Sequence, residues 1–179
     1  RSDSLESLWD LVKKALVTVR RTNSYNAVCE KFGILGYIDN YEIRHSPSTG
    51  WHPHVHQMLV MRRRLTSDEL SEFRRWIYKH YTKTLVKAGK TVNEHTLDVL
   101  QPAEGGDAAA MQKYICKWAG EMTGGQLKKS KGDSLTPFEL ASSFALDGDC
   151  DSAELFREYA AATLAQRQMT KSQSIDKLF

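Results

Sequence analysis

The sequence predicts a protein of the α+β class, with a pair of antiparallel strands set among several helices. Residues 34–45 have the composition of a strand, residues 52–62 that of the returning strand, and a turn-forming stretch joins them. Elsewhere, apolar residues recur every three or four positions, which is the helical period. A β-hairpin among helices is therefore the expected core of the fold.

Two helices are expected before the hairpin. Apolar residues from Leu5 to Val19 keep the helical period after the start signal at Asp3-Ser4. A shorter helix should cover residues 25–32 and end at Gly33, because a left-handed residue commonly ends a helix and glycine adopts that conformation most easily. The strands should then follow at once, with residues 46–50 as their turn.

More helices are expected after the hairpin. Thr66 and Glu69 have the spacing of a capping box, which opens a helix that Gly89 should end. Residues 95–100 are expected to form a strand, a helix should carry Tyr114, and Thr136-Pro137 should open the next helix. A final helix is expected over about residues 151–168, with a frayed tail. We expect residues 1–145 to form the main domain and residues 146–179 its C-terminal helical extension.

The composition is that of a globular protein with one substantial core. Of 179 residues, 26% are charged and 41% are hydrophobic, and no apolar run reaches the length of a transmembrane helix. We expect no membrane partner. The three cysteines form no Cys-x-x-Cys pair, so neither a disulfide framework nor a zinc knuckle is predicted and the cytoplasm is the expected compartment. Because the sequence begins at Arg1, we interpret it as an excised fragment.

Positive charge is concentrated in the middle of the chain. Residues 61–90 hold nine Lys and Arg against three Asp and Glu, although the net charge of the chain is only +3. Such a run is often just a solvated helix face. If it binds phosphates, salt should weaken the binding strongly, and a nearby Trp118 would favour unpaired bases by stacking. The candidate phosphate-binding residues are Arg62, Arg63, Arg64, Arg74, Arg75, Lys79, Lys128, Lys129 and Lys131.

A metal site is predicted on the second strand of the hairpin. His54 and His56 flank a single residue, so they point to the same face of a strand, about 6.5–7 Å apart. Two imidazoles at that separation can share one divalent cation. Glu42 is the expected third ligand, because the predicted register places it opposite His56. His45 and His52 are lower-ranked alternatives, which that register assigns away from the cluster.

A candidate nucleophile lies about sixty residues further along. Tyr114, Lys117 and Glu121 share one face of the predicted helix, since they are spaced by three and four residues. A nearby ammonium and a metal-polarised phosphodiester would stabilise the charge that develops when a phenol attacks. Tyr78 and Tyr81 also lie on a helix and are competing candidates, although large aromatic residues at helical spacing are most often core.

These motifs together resemble those of one enzyme superfamily. The segments Tyr41-Glu42-Ile43-Arg44-His45, Gly50-Trp51-His52-Pro53-His54-Val55-His56 and Tyr114-Ile115-Cys116-Lys117 look like the motifs of plasmid and phage rolling-circle replication initiators, which belong to the HUH endonuclease superfamily. Gly36-Tyr37 and the stretch from Thr136 to Leu140 are similar to the family pattern as well. The resemblance covers residues 31–140.

The resemblance implies a fold and a reaction. The fold is a ferredoxin- or RRM-like α+β domain, in which a central antiparallel sheet carries the metal histidines and the tyrosine helix packs alongside. His54, His56 and Glu42 would hold Mg²⁺ or Mn²⁺, Tyr114 would attack a phosphodiester of single-stranded or hairpin origin DNA, and Lys117 would contact the scissile phosphate. A 5′-phosphotyrosine link and a free 3′-hydroxyl result, and the reverse transfer rejoins the strand. A host helicase and polymerase are the implied partners.

The chain departs from the family pattern in one functional position. Some relatives have a carboxylate one turn before the tyrosine, which activates water at termination, but Ala110 stands there in this chain. Glu121 and Asp107 are the candidate substitutes, because each is seven residues from Tyr114. The cysteine-rich segment of some relatives is not encoded here.

Other functions predict different features. A conjugative relaxase or a single-tyrosine transposase would use the same chemistry on another DNA target. A cupin-type metal barrel would need many short strands, whereas this chain is mostly helical after Arg62. A DNA-binding module without catalysis would use the basic region alone and would not need the metal residues.

Overall fold

The computed structural model of this protein describes residues 3–101 and 133–177, and it has the α+β architecture that the sequence predicts. Five α-helices are present there: α1 (Leu5–Arg20), α2 (Tyr25–Phe32), α3 (Ser67–Lys87), α4 (Pro137–Asp147) and α5 (Cys150–Thr163), and a short 3-10 helix covers Ile175–Lys177. The strands β1 (Ile34–Ser46), β2 (Gly50–Met61) and β3 (Met169–Lys171) form an antiparallel sheet in the order β2-β1-β3. No helix in the described ranges is long and apolar enough to cross a membrane.

Local signals set several of these boundaries. Gly33 ends α2 with a φ of 70°, in the left-handed region where glycine meets no Cβ penalty. Thr66 and Thr136 begin α3 and α4 with complete capping boxes, in which the threonine hydroxyl accepts from the backbone N–H of the glutamate three residues on. The predictions for these helix ends are confirmed.

The predicted strand at residues 95–100 is wrong, because local hydrogen bonds hold this segment in another conformation. The Asn93 carboxamide oxygen accepts from the backbone N–H of His95 at 3.0 Å, and the Arg74 Nε donates to the Val99 carbonyl at 2.8 Å. Such side-chain bonds to the backbone compete with strand pairing. Two further predictions are wrong as well: α5 ends at Thr163, before residue 168, and the tail forms β3.

The chain divides into two compact units, one of which comprises Arg1–Trp9, Asn40–His56 and Gln101–Gln168. In this unit the Trp9 and Tyr41 rings lie 5.2 Å apart. The Glu158 carboxylate accepts from the backbone N–H of Leu5 at 2.8 Å and from the Trp51 indole N–H at 2.9 Å. One carboxylate of α5 therefore ties α5 to both α1 and β2.

The other unit comprises Asp10–Asp39, Gln57–Leu100 and Met169–Phe179, and it contains a buried ion pair. Asp39 is 0% exposed, and its two carboxylate oxygens accept from Arg20 at 2.8 and 2.6 Å. Gln57 and Thr170 also donate to it, at 2.8 and 3.4 Å, and the Arg20 guanidinium lies 3.6 Å from the centre of the Tyr37 ring. This single carboxylate connects α1, β1, β2 and β3.

A glycine of β1 lets the C-terminal segment approach closely. A Cβ on Gly36 would lie 2.7 Å from the Ile175 Cδ1 atom and 2.7 Å from the Ser172 Oγ atom. The backbone N–H of Ser172 also donates to the Tyr37 carbonyl at 3.0 Å. A side chain at position 36 would therefore have to displace the side-chain ends of Ile175 and Ser172.

Candidate metal site and its surroundings

The hairpin brings a histidine and a carboxylate together on one face. Gly50 closes the turn with a φ of 82°, which lets β2 return along β1. The His56 Nε2 atom then lies 2.9 Å from the Glu42 Oε2 atom. The two side chains therefore lie on the same side of the strand pair, as the predicted register requires.

Arg44 holds the other oxygen of the same carboxylate. Its Nε donates to Glu42 Oε1 at 2.8 Å, and a terminal guanidinium nitrogen lies 2.7 Å from that oxygen. The hydrogen bond with His56, and then the hydrogen bond and positive charge of Arg44, lower the pKa of Glu42 to about 2, although burial opposes the shift. The carboxylate is consequently ionised at neutral pH, with one oxygen facing each partner.

His54 is next to this pair, in surroundings that favour the neutral form of its imidazole. The residue as a whole is exposed to solvent, but the protein atoms around its imidazole partly desolvate the ring and thereby lower its pKa. The Glu42 charge acts in the opposite direction, while the nearby His52, His56 and Arg44 lower the pKa further. A neutral imidazole is the form that binds a metal ion.

The structure corrects the placement of His52. Its ring is stacked on that of His54 with centroids 6.4 Å apart, and its Nε2 lies 2.5 Å from the Thr49 hydroxyl oxygen. The prediction that His52 faces away was wrong, because residues two apart on a strand share a face. His45 instead packs edge-on against the buried Trp51, with centroids 4.9 Å apart.

The donor set fits a divalent ion in chemistry and in part in geometry. Ligand atoms on adjacent octahedral positions lie about 3 Å apart when each bond is about 2.1 Å, and Glu42 Oε2 and His56 Nε2 have that separation, 2.9 Å. Across residues 3–101 and 133–177, however, no three His, Cys, Asp or Glu side chains converge as a metal site would. Glu42 and His56 thus supply two candidate ligand atoms at one place, with His54 beside them on the same strand as His56.

The predicted nucleophile and several predicted DNA contacts fall outside the described residues. These residues are Tyr114, Lys117, Trp118, Glu121, Lys128, Lys129 and Lys131. The competing tyrosines are described: Tyr81 is buried in α3, and the Tyr78 hydroxyl donates to the Asn93 carbonyl at 3.1 Å. Burial of Tyr81 and the hydrogen bond of Tyr78 to the backbone are typical of residues that stabilise the fold.

The basic residues after β2 fall into two groups. Arg63 pairs with Glu69 at 2.7 Å, and Arg74 pairs with Asp98 at 3.1 Å besides its bond to Val99. In the ranges that the structure describes, the other predicted phosphate ligands are exposed and make no ion pair; they are Arg62, Arg64, Arg75 and Lys79.

Sequence reasoning assigned no role to Arg44 or Glu158. The spacing of Arg44 from Glu42 could have indicated their contact, since residues i and i+2 of a strand share a face. The contact between Glu158 and Trp51 joins residues more than a hundred positions apart, and no local pattern indicates it.

No family model, curated protein or solved structure matches this chain.

Proposed function

We propose that this protein is a metal-dependent, site-specific single-strand DNA nickase and strand transferase that starts rolling-circle replication. The observation that carries the proposal is the contact between Glu42 and His56, at 2.9 Å, with His54 on the same strand face. The sequence resemblance to HUH replication initiators implies a carboxylate and two histidines at one place, and this contact brings together the carboxylate and one of the two histidines.

Each residue of the proposed site has a distinct role. Glu42, His54 and His56 would hold Mg²⁺ or Mn²⁺, which when bound polarises a phosphodiester and stabilises negative charge on its oxygens. Arg44 orients the Glu42 carboxylate by holding Oε1, so that Oε2 remains directed toward His56. The lowered pKa of His54 keeps its imidazole available as a ligand.

Tyr114 is the proposed nucleophile, and the bond changes follow from its chemistry. Its phenolic oxygen loses a proton and forms a bond to phosphorus, while the bond from phosphorus to the 3′ oxygen breaks. The 3′ oxygen gains a proton and leaves as a hydroxyl that can prime synthesis. Lys117 would contact the phosphate, and Glu121 is the proposed carboxylate for water activation at termination.

A covalent-adduct assay tests this proposal. The protein is incubated with Mn²⁺ and a pool of single-stranded and stem-loop oligonucleotides, labelled at either the 3′ or the 5′ end, and resolved on a denaturing gel. Because tyrosine keeps the 5′ phosphate, the 3′ label should move with the protein and the 5′ label should appear on a shortened free strand. Tyr114→Phe should abolish the adduct, whereas the control Tyr78→Phe should retain it.

Three results would count against the proposal. DNA binding without any adduct would favour a non-catalytic binding module. Full adduct formation by Tyr114→Phe would move the nucleophile to another tyrosine. Adduct formation that persists in the chelator EDTA would remove the metal from the reaction.

A further inference from the structure

We propose that the exposed face of α3 is a second nucleic-acid surface, which binds the phosphate backbone of duplex DNA. The surface consists of Arg75, Lys79, Lys83 and Lys87, and we call it the α3 basic stripe. It goes beyond the nicking site, which acts on a single strand, and it rests on the proposed function only in taking DNA as the polymer.

The stripe follows from the helical period. Its four cations are spaced by four residues, so they lie along one side of α3, and all four are exposed. The opposite side is apolar and buried, with Phe73, Ile77, Tyr81 and Leu85 at the same spacing. The stripe is therefore a fixed row on a packed helix, about 18 Å long at 1.5 Å per residue.

Among the residues that the structure describes, α3 places no compensating negative charge along the stripe. The acidic residues of α3, Asp68, Glu69 and Glu72, all lie in its first two turns. Glu69 pairs with Arg63, and Glu72 pairs with Lys31. Within the described residues none of the four cations is in an ion pair, and like charges four residues apart destabilise a helix. An anionic partner would relieve that repulsion.

The helix dipole accounts for only part of the pattern. Cations stabilise the C-terminal end of a helix, but the effect falls off within the last turn. Lys87 is in that turn, whereas Arg75 and Lys79 lie near the middle of α3 (Ser67–Lys87). At least two of the four cations need another explanation.

The chemistry of the face favours duplex DNA over a single strand. Proteins that bind single strands add aromatic platforms on which unpaired bases stack. The nearby Trp76 is only half-exposed, and its ring packs 4.4 Å from the His80 ring and 6.4 Å from the Tyr25 ring. The stripe itself offers only cations, which suits phosphate contacts without base stacking.

A salt titration tests the stripe without any cleavage. A fluorescent 20-base-pair duplex of arbitrary sequence is titrated with the full chain in EDTA, by anisotropy, between about 50 and 200 mM KCl. Four phosphate contacts give a slope of about −3.6 in log K against log salt, so affinity should fall about 150-fold over this range. Lys79→Gln/Lys83→Gln should halve the slope, which leaves a fall of about 12-fold.

The matched control removes the same charge from paired residues. Arg63→Gln/Arg74→Gln also lowers the net charge by two, yet both residues are held by protein groups, so the slope should stay near that of the unmodified protein. Circular dichroism and thermal melting establish that each variant is folded.

The outcomes are decisive and independent of nicking. The inference fails if duplex affinity is flat with salt, if both double variants lose slope equally, or if the stripe variant loses affinity only for a single strand of the same length. Because the Tyr114 adduct is measured separately, with a 3′-labelled single strand and Mn²⁺, a failure of the nickase proposal leaves the stripe result interpretable, and the reverse is equally true.

Discussion

Replacing Asp39 by Asn should destabilise the protein by about 3 kcal/mol. The change preserves the shape of the side chain but removes the charge that faces Arg20. Asp39 is fully buried and the Arg20 side chain is 16% exposed, so the guanidinium cannot recover its hydration by a small movement. Removing one partner of a buried pair costs about 3–5 kcal/mol, and we take the lower end because Asn can still accept one hydrogen bond.

The effect is measurable by urea unfolding at pH 7 and by thermal melting. A loss of about 3 kcal/mol lowers the thermal melting temperature of a chain of this size by about 6–12 °C. Arg20→Gln and the double variant complete a mutant cycle, in which the double change should cost clearly less than the sum of the single changes.

An exposed pair provides the control. Glu72→Gln makes the same change of carboxylate to amide, but its pair with Lys31 has side chains 48% and 53% exposed, so the cost should stay below about 1 kcal/mol. Equal losses at Asp39 and Glu72, or strict additivity in the cycle, would refute the reasoning that burial makes this pair strong.

Three further predictions concern α3, β1 and the candidate metal site. The hydrogen bond from Arg63, followed by that from the Thr66 backbone, lowers the pKa of Glu69 from 4.5 to about 2. The ionised Glu69 carboxylate therefore stabilises the fold fully above pH 4.5, and this stabilisation disappears as the pH falls toward 2. The unfolding free energies of Glu69→Gln and the unmodified protein should converge near pH 2, and a difference that stays constant with pH would contradict this. Gly36→Ala should lower the free energy of unfolding by about 1–3 kcal/mol, because the new methyl group overlaps the side chains of the C-terminal segment. An unchanged urea midpoint would show that these side chains move aside without a loss of stability. In calorimetry, His54→Ala or His56→Ala should abolish measurable Mn²⁺ binding and Glu42→Ala should weaken it less, whereas unchanged affinity in both histidine variants would eliminate the site, and a null result for Glu42→Ala alone would direct attention to His52.

Local chemistry made much of the fold predictable. The left-handed residue at Gly33 and the capping boxes at Thr66 and Thr136 each depend on residues within a few positions, so the sequence indicates them directly. The contact between Glu42 and His56 was predictable because a hairpin with a short turn fixes which residues face each other.

The unpredicted features depend on distant partners or on competing local bonds. β3 pairs with β1 across more than 120 residues of chain. Its three residues are too few to show the alternating pattern that predicts a strand. The expected strand at residues 95–100 had a suitable composition, but Asn93 and Arg74 satisfy its backbone groups in another way. His52 was misplaced by an error of parity on the strand, which the spacing itself could have corrected.

The short β3 and its flanking residues cover the outer edge of β1, and this edge could otherwise pair with another molecule. Tyr37 and Tyr41 use the outer edge of β1 to bond Ser172 and Gln168, and His45 continues that edge by exchanging two hydrogen bonds with Leu135. If the segment after Gln168 detaches, the β1 groups that it covers become available to a strand from another molecule. Because the C-terminal segment covers this part of the edge of β1, proteolytic trimming near residue 168 should increase self-association of the protein.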